Sequence, residues 1–161
     1  MHDQRRVYHT IGMELTVDQA FAAAYLLIAD KHIRKYGKPP SSLEDDVEFV
    51  LNAMYLVGER STNDPAFWHD WWHSIQKVVG EGVRPDAVRL TERDAYLATI
   101  QFLERFYIER EGNDVGVGEL MYEMREALET GGSTLAEKWS TFVDRASRQP
   151  VREIVQYAEW C

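Results

Sequence analysis

Cysteine is almost missing from this sequence: of 161 residues only one, Cys161, carries a thiol, and it stands last. A single thiol can form neither an intrachain disulfide nor a cysteine-based zinc cluster, so a reducing compartment is the expected setting. Proline is scarce, at 5, and glycine stands at 10, against a hydrophobic share of 45%. That balance excludes a disordered or collagen-like chain and predicts a packed core. A chain of this length can bury roughly 70% of the surface it exposes when unfolded. Long apolar runs are lacking too, since no segment reaches the ~20 residues that span a bilayer. The stretch from Met1 to Gly12 carries His2, Arg5, Arg6 and His9 with no apolar region behind them. We therefore expect a cytoplasmic protein without membrane contact, with residues 1–12 a flexible lead-in.

Basic residues are in deficit, 18 against 27 acids, for a formal charge of −9. A surface of that sign repels phosphate backbones, so nucleic acid is not an expected ligand. It would hasten association with a basic protein, although solubility alone also accounts for it. Period-two alternation is nowhere evident, which predicts no sheet. Serine nucleophile elbows, phosphate loops and dinucleotide fingerprints are absent as well. Gly112, Gly116 and Gly118 follow no strand and have no P-loop lysine. No catalytic residue and no cofactor are assigned.

What is present is helical periodicity. Leu15-Thr16-Val17-Asp18-Gln19-Ala20 has a threonine cap, a glutamine placed to reciprocate, and a leucine staple. Phe21, Ala24, Tyr25, Leu27 and Ile28 follow at helical spacing until Gly37 and Pro39-Pro40. A second helix is predicted from Ser41 or Ser42, with Glu44 to Asp46 in its first turn, through Val47, Val50, Leu51 and Met54 to Gly58. A third begins at Asp64-Pro65 and carries Phe67, Trp68, Trp71, Trp72, Ile75, Val78 and Val79 up to Gly80. At about 100° per residue these side chains span roughly 140°, with Trp68 and Ile75 in the middle. So wide a sector can touch two neighbouring helices, as a core seam, or serve as a partner groove.

The same signals then recur. Leu90-Thr91-Glu92-Arg93-Asp94-Ala95-Tyr96 restates Leu15 to Phe21 position by position, Leu27 and Ile28 correspond to Phe102 and Leu103, and Gly37 to Gly112. Val47, Val50, Leu51 and Met54 correspond to Val117, Leu120, Met121 and Met124, while Trp68 and Trp71 correspond to Trp139 and Phe142 behind a cap at Ser133 or Thr134. The predicted fold is all-α: a pseudo-symmetric bundle of two three-helix units, residues 13–80 and 90–149, joined by a linker at 81–89 and packed as one domain. A short C-terminal helix at 150–161 carries Val151, Ile154, Val155, Ala158 and Trp160. Two copies of some 70 residues are too few and too long for a solenoid.

Two sets of residues could carry function. Glu119, Glu123 and Glu126 share the face of the fifth helix opposite Val117, Leu120, Met121, Met124 and Leu128, and Glu109, Glu111 and Asp114 lie just upstream. Together they would present an anionic surface to a basic partner, or merely a solvated face. His69 and His73 stand one turn apart, a spacing that lets two imidazoles reach one metal ion. Asp70 stands where a metalloprotease motif requires glutamate and points elsewhere; no third ligand is apparent, though His32 on another helix could approach. A metal-binding protein or metal-dependent enzyme is thus one alternative, and a scaffold that self-associates through its tryptophans another.

The leucine–threonine cap with its alanine–aromatic pair, the glycine break, and the run Asp64-Pro65-Ala66-Phe67-Trp68-His69-Asp70-Trp71 resemble a pattern in small α-helical bacterial immunity proteins of contact-dependent growth inhibition systems and their relatives. The resemblance extends over most of both units, but Leu135-Ala136-Glu137-Lys138-Trp139 lacks the Asp-Pro start and the Asp-Trp pair. It implies a non-enzymatic inhibitor that binds a cognate toxin domain, commonly a nuclease, and masks its active site. No contact residue transfers with it, so the glutamates above rest on charge alone.

Overall fold

The computed structural model describes residues 14–36, 46–109, 115–131 and 134–155. The lead-in at 1–12, the Gly37 to Ser42 break, Glu111, Gly112, Asp114, Ser133, Ala158 and Trp160 lie outside the described residues. The elements are α1 (Val17–Tyr36), α2 (Asp46–Met54), β1 (Leu56–Gly58), β2 (Ser61–Thr62), α3 (Pro65–Val79), α4 (Glu92–Glu109), α5 (Val115–Thr130), α6 (Thr134–Arg148) and α7 (Val151–Ile154). The fold is all-α in class, with one small antiparallel hairpin and a 3-10 turn at Pro85–Ala87.

Helix starts follow the residues that announced them. Thr16 Oγ1 accepts from Gln19 N at 3.1 Å and Gln19 Oε1 accepts from Thr16 N at 2.9 Å, a reciprocal capping box. Thr91 Oγ1 accepts from Asp94 N at 3.0 Å, and Asp64 Oδ1 from Ala66 N at 3.1 Å ahead of Pro65. Leu15 and Leu90, the two staple leucines, face each other across an isolated antiparallel bridge. Each N–H donates to the other's carbonyl at 2.8 Å, and both side chains are fully buried.

From Ala20 to Ala29 every residue of α1 is buried. A helix apolar all round has to be enclosed, and α2, α3, α4, α6 and α7 all pack on it. The most extensive helix contacts are α1 with α6 and α4 with α3, so the third helix of each half lies against the first helix of the other. Val47, Val50, Leu51 and Met54 of α2 and Val117, Leu120, Met121 and Met124 of α5 are buried alike.

Large rings join the halves at the centre. Trp71 is fully buried, edge-on to Phe21 of α1 at 5.6 Å and to Phe102 of α4 at 5.6 Å, and its Nε1 donates to Val17 O at 3.2 Å. Trp139 repeats the arrangement, with its ring 5.5 Å from Tyr96 and its Nε1 donating to Glu92 O at 3.0 Å. Each tryptophan thus satisfies its polar atom on the first residue of a capped helix while the ring stays dry.

Four expectations are corrected. First, a sheet exists: β1 and β2 pair Leu56 with Thr62 and Gly58 with Ser61, in strands of three and two residues that are too short to register as alternation. Second, the helix expected to run to Gly58 stops at Met54, because the returning chain takes its last carbonyls. Asp64 N donates to Ala53 O and Asn63 Nδ2 to Asn52 O, both at 3.1 Å. Third, Trp68 is not the middle of its sector. Phe67, Trp71, Ser74 and Ile75 are the buried set of α3, with Trp68, Trp72, Val78 and Val79 partly buried on the flank. Serine at 74 helps decide this: its Oγ donates to Asp70 O at 2.8 Å, and a side chain so small lets a neighbouring helix come close. Fourth, in its ring and carbonyl contacts Trp139 resembles Trp71 rather than Trp68, with which the sequence aligned it; the buried sets include Phe67, Trp71 and Ile75 in α3 and Leu135, Trp139 and Val143 in α6.

Candidate functional site

The outer seam between α4 and α5 holds the two most exposed large hydrophobic side chains of the described residues, Tyr122 at 68% and Ile108 at 64%. Tyr107, Gly118, Met121, Glu104 and Arg125 complete a shallow groove of about 560 Å³ around them. Gly118 makes the groove floor possible. A Cβ there would stand 3.0 Å from Tyr107 Cε1, so the phenol ring lies tight against the α5 backbone and would have to give by a few tenths of an ångström to admit an alanine. Arg125 forms an ion pair with Glu104 across the seam.

Four of the six predicted acids lie near this groove in chain order, and two fall outside the described residues. Glu119 and Glu126 are exposed on α5, one turn before and one turn after Tyr122. Glu109 at the end of α4 is exposed and lies 3.3 Å from Arg105 Nε. Glu123 differs from its neighbours: Lys31 Nζ approaches it at 3.1 Å and Arg34 at 3.4 Å, so its charge is neutralised from α1. The stripe read along one face is therefore two exposed acids flanking an ion-paired one. Glu111 and Asp114 lie outside the described residues.

His69 and His73 are both exposed on α3. His73 lines a cleft with Lys77 and Arg105, while Asp70 is engaged by Arg105 Nε at 2.9 Å. His32 lies in the interior between α1 and α2, 3.8 Å from the Glu48 carboxylate. Among the described residues no three His, Cys, Asp or Glu side chains gather closely enough to hold a metal ion. No helix of the described residues is long and apolar enough to cross a membrane.

Sequence reasoning missed Tyr122 and Ile108, yet a signal existed. Tyr122 stands out of phase with the apolar set of α5 and in phase with Glu119 and Glu126, and Ile108 is likewise out of phase with Phe102 and Phe106.

Behind the seam Tyr96 ties α4 to α5. Its hydroxyl donates to Met124 O at 2.7 Å, and burial, with the Glu123 charge nearby, pushes its pKa up to about 12. The sign follows from proton linkage. Between pH 10 and 12 the unfolded chain ionises this phenol while the folded chain keeps its proton, so stability present below about pH 10 is lost as pH rises toward 12. Tyr96→Phe should remove that part of the alkaline loss. Urea titrations at pH 9, 10, 11 and 12 would measure it, and parallel slopes for both proteins would refute it.

No family model matches the chain, and comparison with curated proteins and with solved structures likewise finds no match.

Proposed function

We propose that this chain is a non-enzymatic intracellular binding module whose α4–α5 seam holds a basic protein partner, in the manner of an immunity protein neutralising a toxin domain. The observation that carries the reading is the placing of Tyr122 and Ile108, each more than 60% exposed, on a seam with Glu109, Glu119 and Glu126 along its helices. Large apolar groups ringed by charge suit a desolvated contact within a polar rim. The net charge of −9 favours a basic partner over an acidic one.

The test begins with affinity purification of partners from the native host. Reversing Glu119 and Glu126 to lysine together should slow association with the recovered partner about tenfold or more at low salt, with the difference shrinking as salt rises. Stopped-flow rates that ignore both the substitutions and the salt would sink the electrostatic part of the reading. Tyr122→Ala should act on the dissociation rate instead.

We also propose that the two halves are copies of one three-helix unit related by an approximate two-fold axis. Leu15 and Leu90, equivalent by sequence, are hydrogen-bonded to each other, as elements on such an axis would be. Trp71 and Trp139 make matching ring and carbonyl contacts. Even the ion pairs correspond with reversed polarity: Asp70 with Arg105 on one side, Lys138 with Asp30 at 3.2 Å on the other.

A further inference from the structure

We infer that the cleft between α4, α5 and α6 is a socket for a tryptophan side chain carried on a basic segment of the protein partner. The inference rests on the partner-binding reading above but concerns a different place on the surface. The cleft, about 230 Å³, is lined by Glu92, Tyr96, Ala127, Leu128, Ala136 and Trp139, together with Arg93 and Ser140.

The molecule supplies its own template for the occupant. In the first half the corresponding corner is filled: Trp68, three residues before Trp71, lies edge-on to Phe21 at 5.3 Å, with Leu56 and Val151 around it. In the second half Tyr96 stands where Phe21 stands and Trp139 where Trp71 stands, but the residue three before Trp139 is Ala136. The hairpin that flanks Trp68 has no counterpart among the described residues of the second half. An indole is thus replaced by a methyl group in an otherwise similar aromatic frame, and the space left opens outward.

The chemistry of the rim selects an indole with positive charge beside it. Glu92 Oε2 accepts from Ser140 Oγ at 3.1 Å, and a carboxylate has lone pairs left for an indole N–H. Arg93, also in the lining, can lie over a ring face. The helices forming the walls expose Glu126 and Glu129 on α5 and Glu137 on α6, a charge complement to a basic segment. The socket also continues the proposed binding seam. Tyr96 and Tyr107 lie eleven residues apart on α4, about 16 Å at 1.5 Å per residue, so one partner can reach both ends.

The test uses the full chain labelled with ¹⁵N and titrated with N-acetyl-L-tryptophanamide, with N-acetyl-L-leucinamide as control. Saturable shifts are expected at the amides of Ala127, Leu128, Ala136 and Ser140, with at least tenfold weaker binding of the leucine derivative. No saturable change there, or equal binding of both probes, overturns the inference. Ala136→Trp should supply the missing ring from within, weaken the tryptophan probe at least tenfold, and leave the melting temperature equal or higher. Should that variant fail to fold, Ala136→Leu must weaken the probe in the same direction, and undiminished binding to it overturns the socket. Partner association that a folded Ala136→Trp variant leaves unchanged also overturns it. An inert charge reversal at Glu119 alone, which is not among the socket's walls, would instead remove the electrostatic reading of the seam and leave the socket standing.

Discussion

Replacing Trp71 with alanine should cost about 3–5 kcal/mol, the range for truncating a large buried ring. That is a large share of the roughly 5–15 kcal/mol that holds a domain folded. The side chain is fully buried, bridges Phe21 and Phe102 edge-on, and supplies the indole N–H bonded to Val17 O. Removing it opens a cavity where three helices meet and takes a donor from the α1 start. Urea unfolding followed by circular dichroism should show the midpoint falling at unchanged slope. Trp71→Phe should recover most of the loss, since it keeps a ring in place. Trp68→Ala should cost less than half as much, because that ring is only partly buried. An equal cost at Trp68 would restore the sequence-based centring of the α3 sector and refute the geometry described above.

Leu15→Ala and Leu90→Ala should each cost about 2–5 kcal/mol. Both side chains are fully buried beside a backbone bridge that no helix could supply. The two losses should be similar in size, because both side chains are leucines buried to the same extent at one bridge, and should not add, because they are neighbours in one contact. A double-mutant cycle in urea measures both points. Strict additivity would mean that the leucines act independently, and a several-fold difference in the single costs would weigh against equivalent halves.

Helix starts were legible because a cap is a local device: Thr16, Gln19 and Thr91 need only their own first turn to make their bonds. The buried faces of α2 and α5 were legible for a related reason, since Val47, Val50, Leu51 and Met54 on one and Val117, Leu120, Met121 and Met124 on the other are buried at helical spacing. The hairpin was not. Its two strands are set by where the chain returns past the end of α2, with Leu56 N also donating to Val155 O from the far end of the chain. Arg60 in that turn takes a φ of 53° and holds Asp18 and Asp86 at once, with Asp18 chiefly raising its pKa. Those acids lie far away in sequence, and no local pattern predicts them.

The candidate site divides along the same line. Which glutamates share the α5 face is fixed by helical spacing, whereas the loss of Glu123 to Lys31 and Arg34 depends on how α1 crosses α5. By itself the sequence determined the helical class, the caps, the repeated signals and the excess of acid, because each follows from neighbours within a turn or from composition. Only the tertiary structure decided which tryptophan is central, that each third helix packs on the first helix of the other half, and that Tyr122, Ile108 and the Ala136 cleft face outward. Those outcomes depend on contacts between residues tens of positions apart, where the shape left by one helix sets what another can bury.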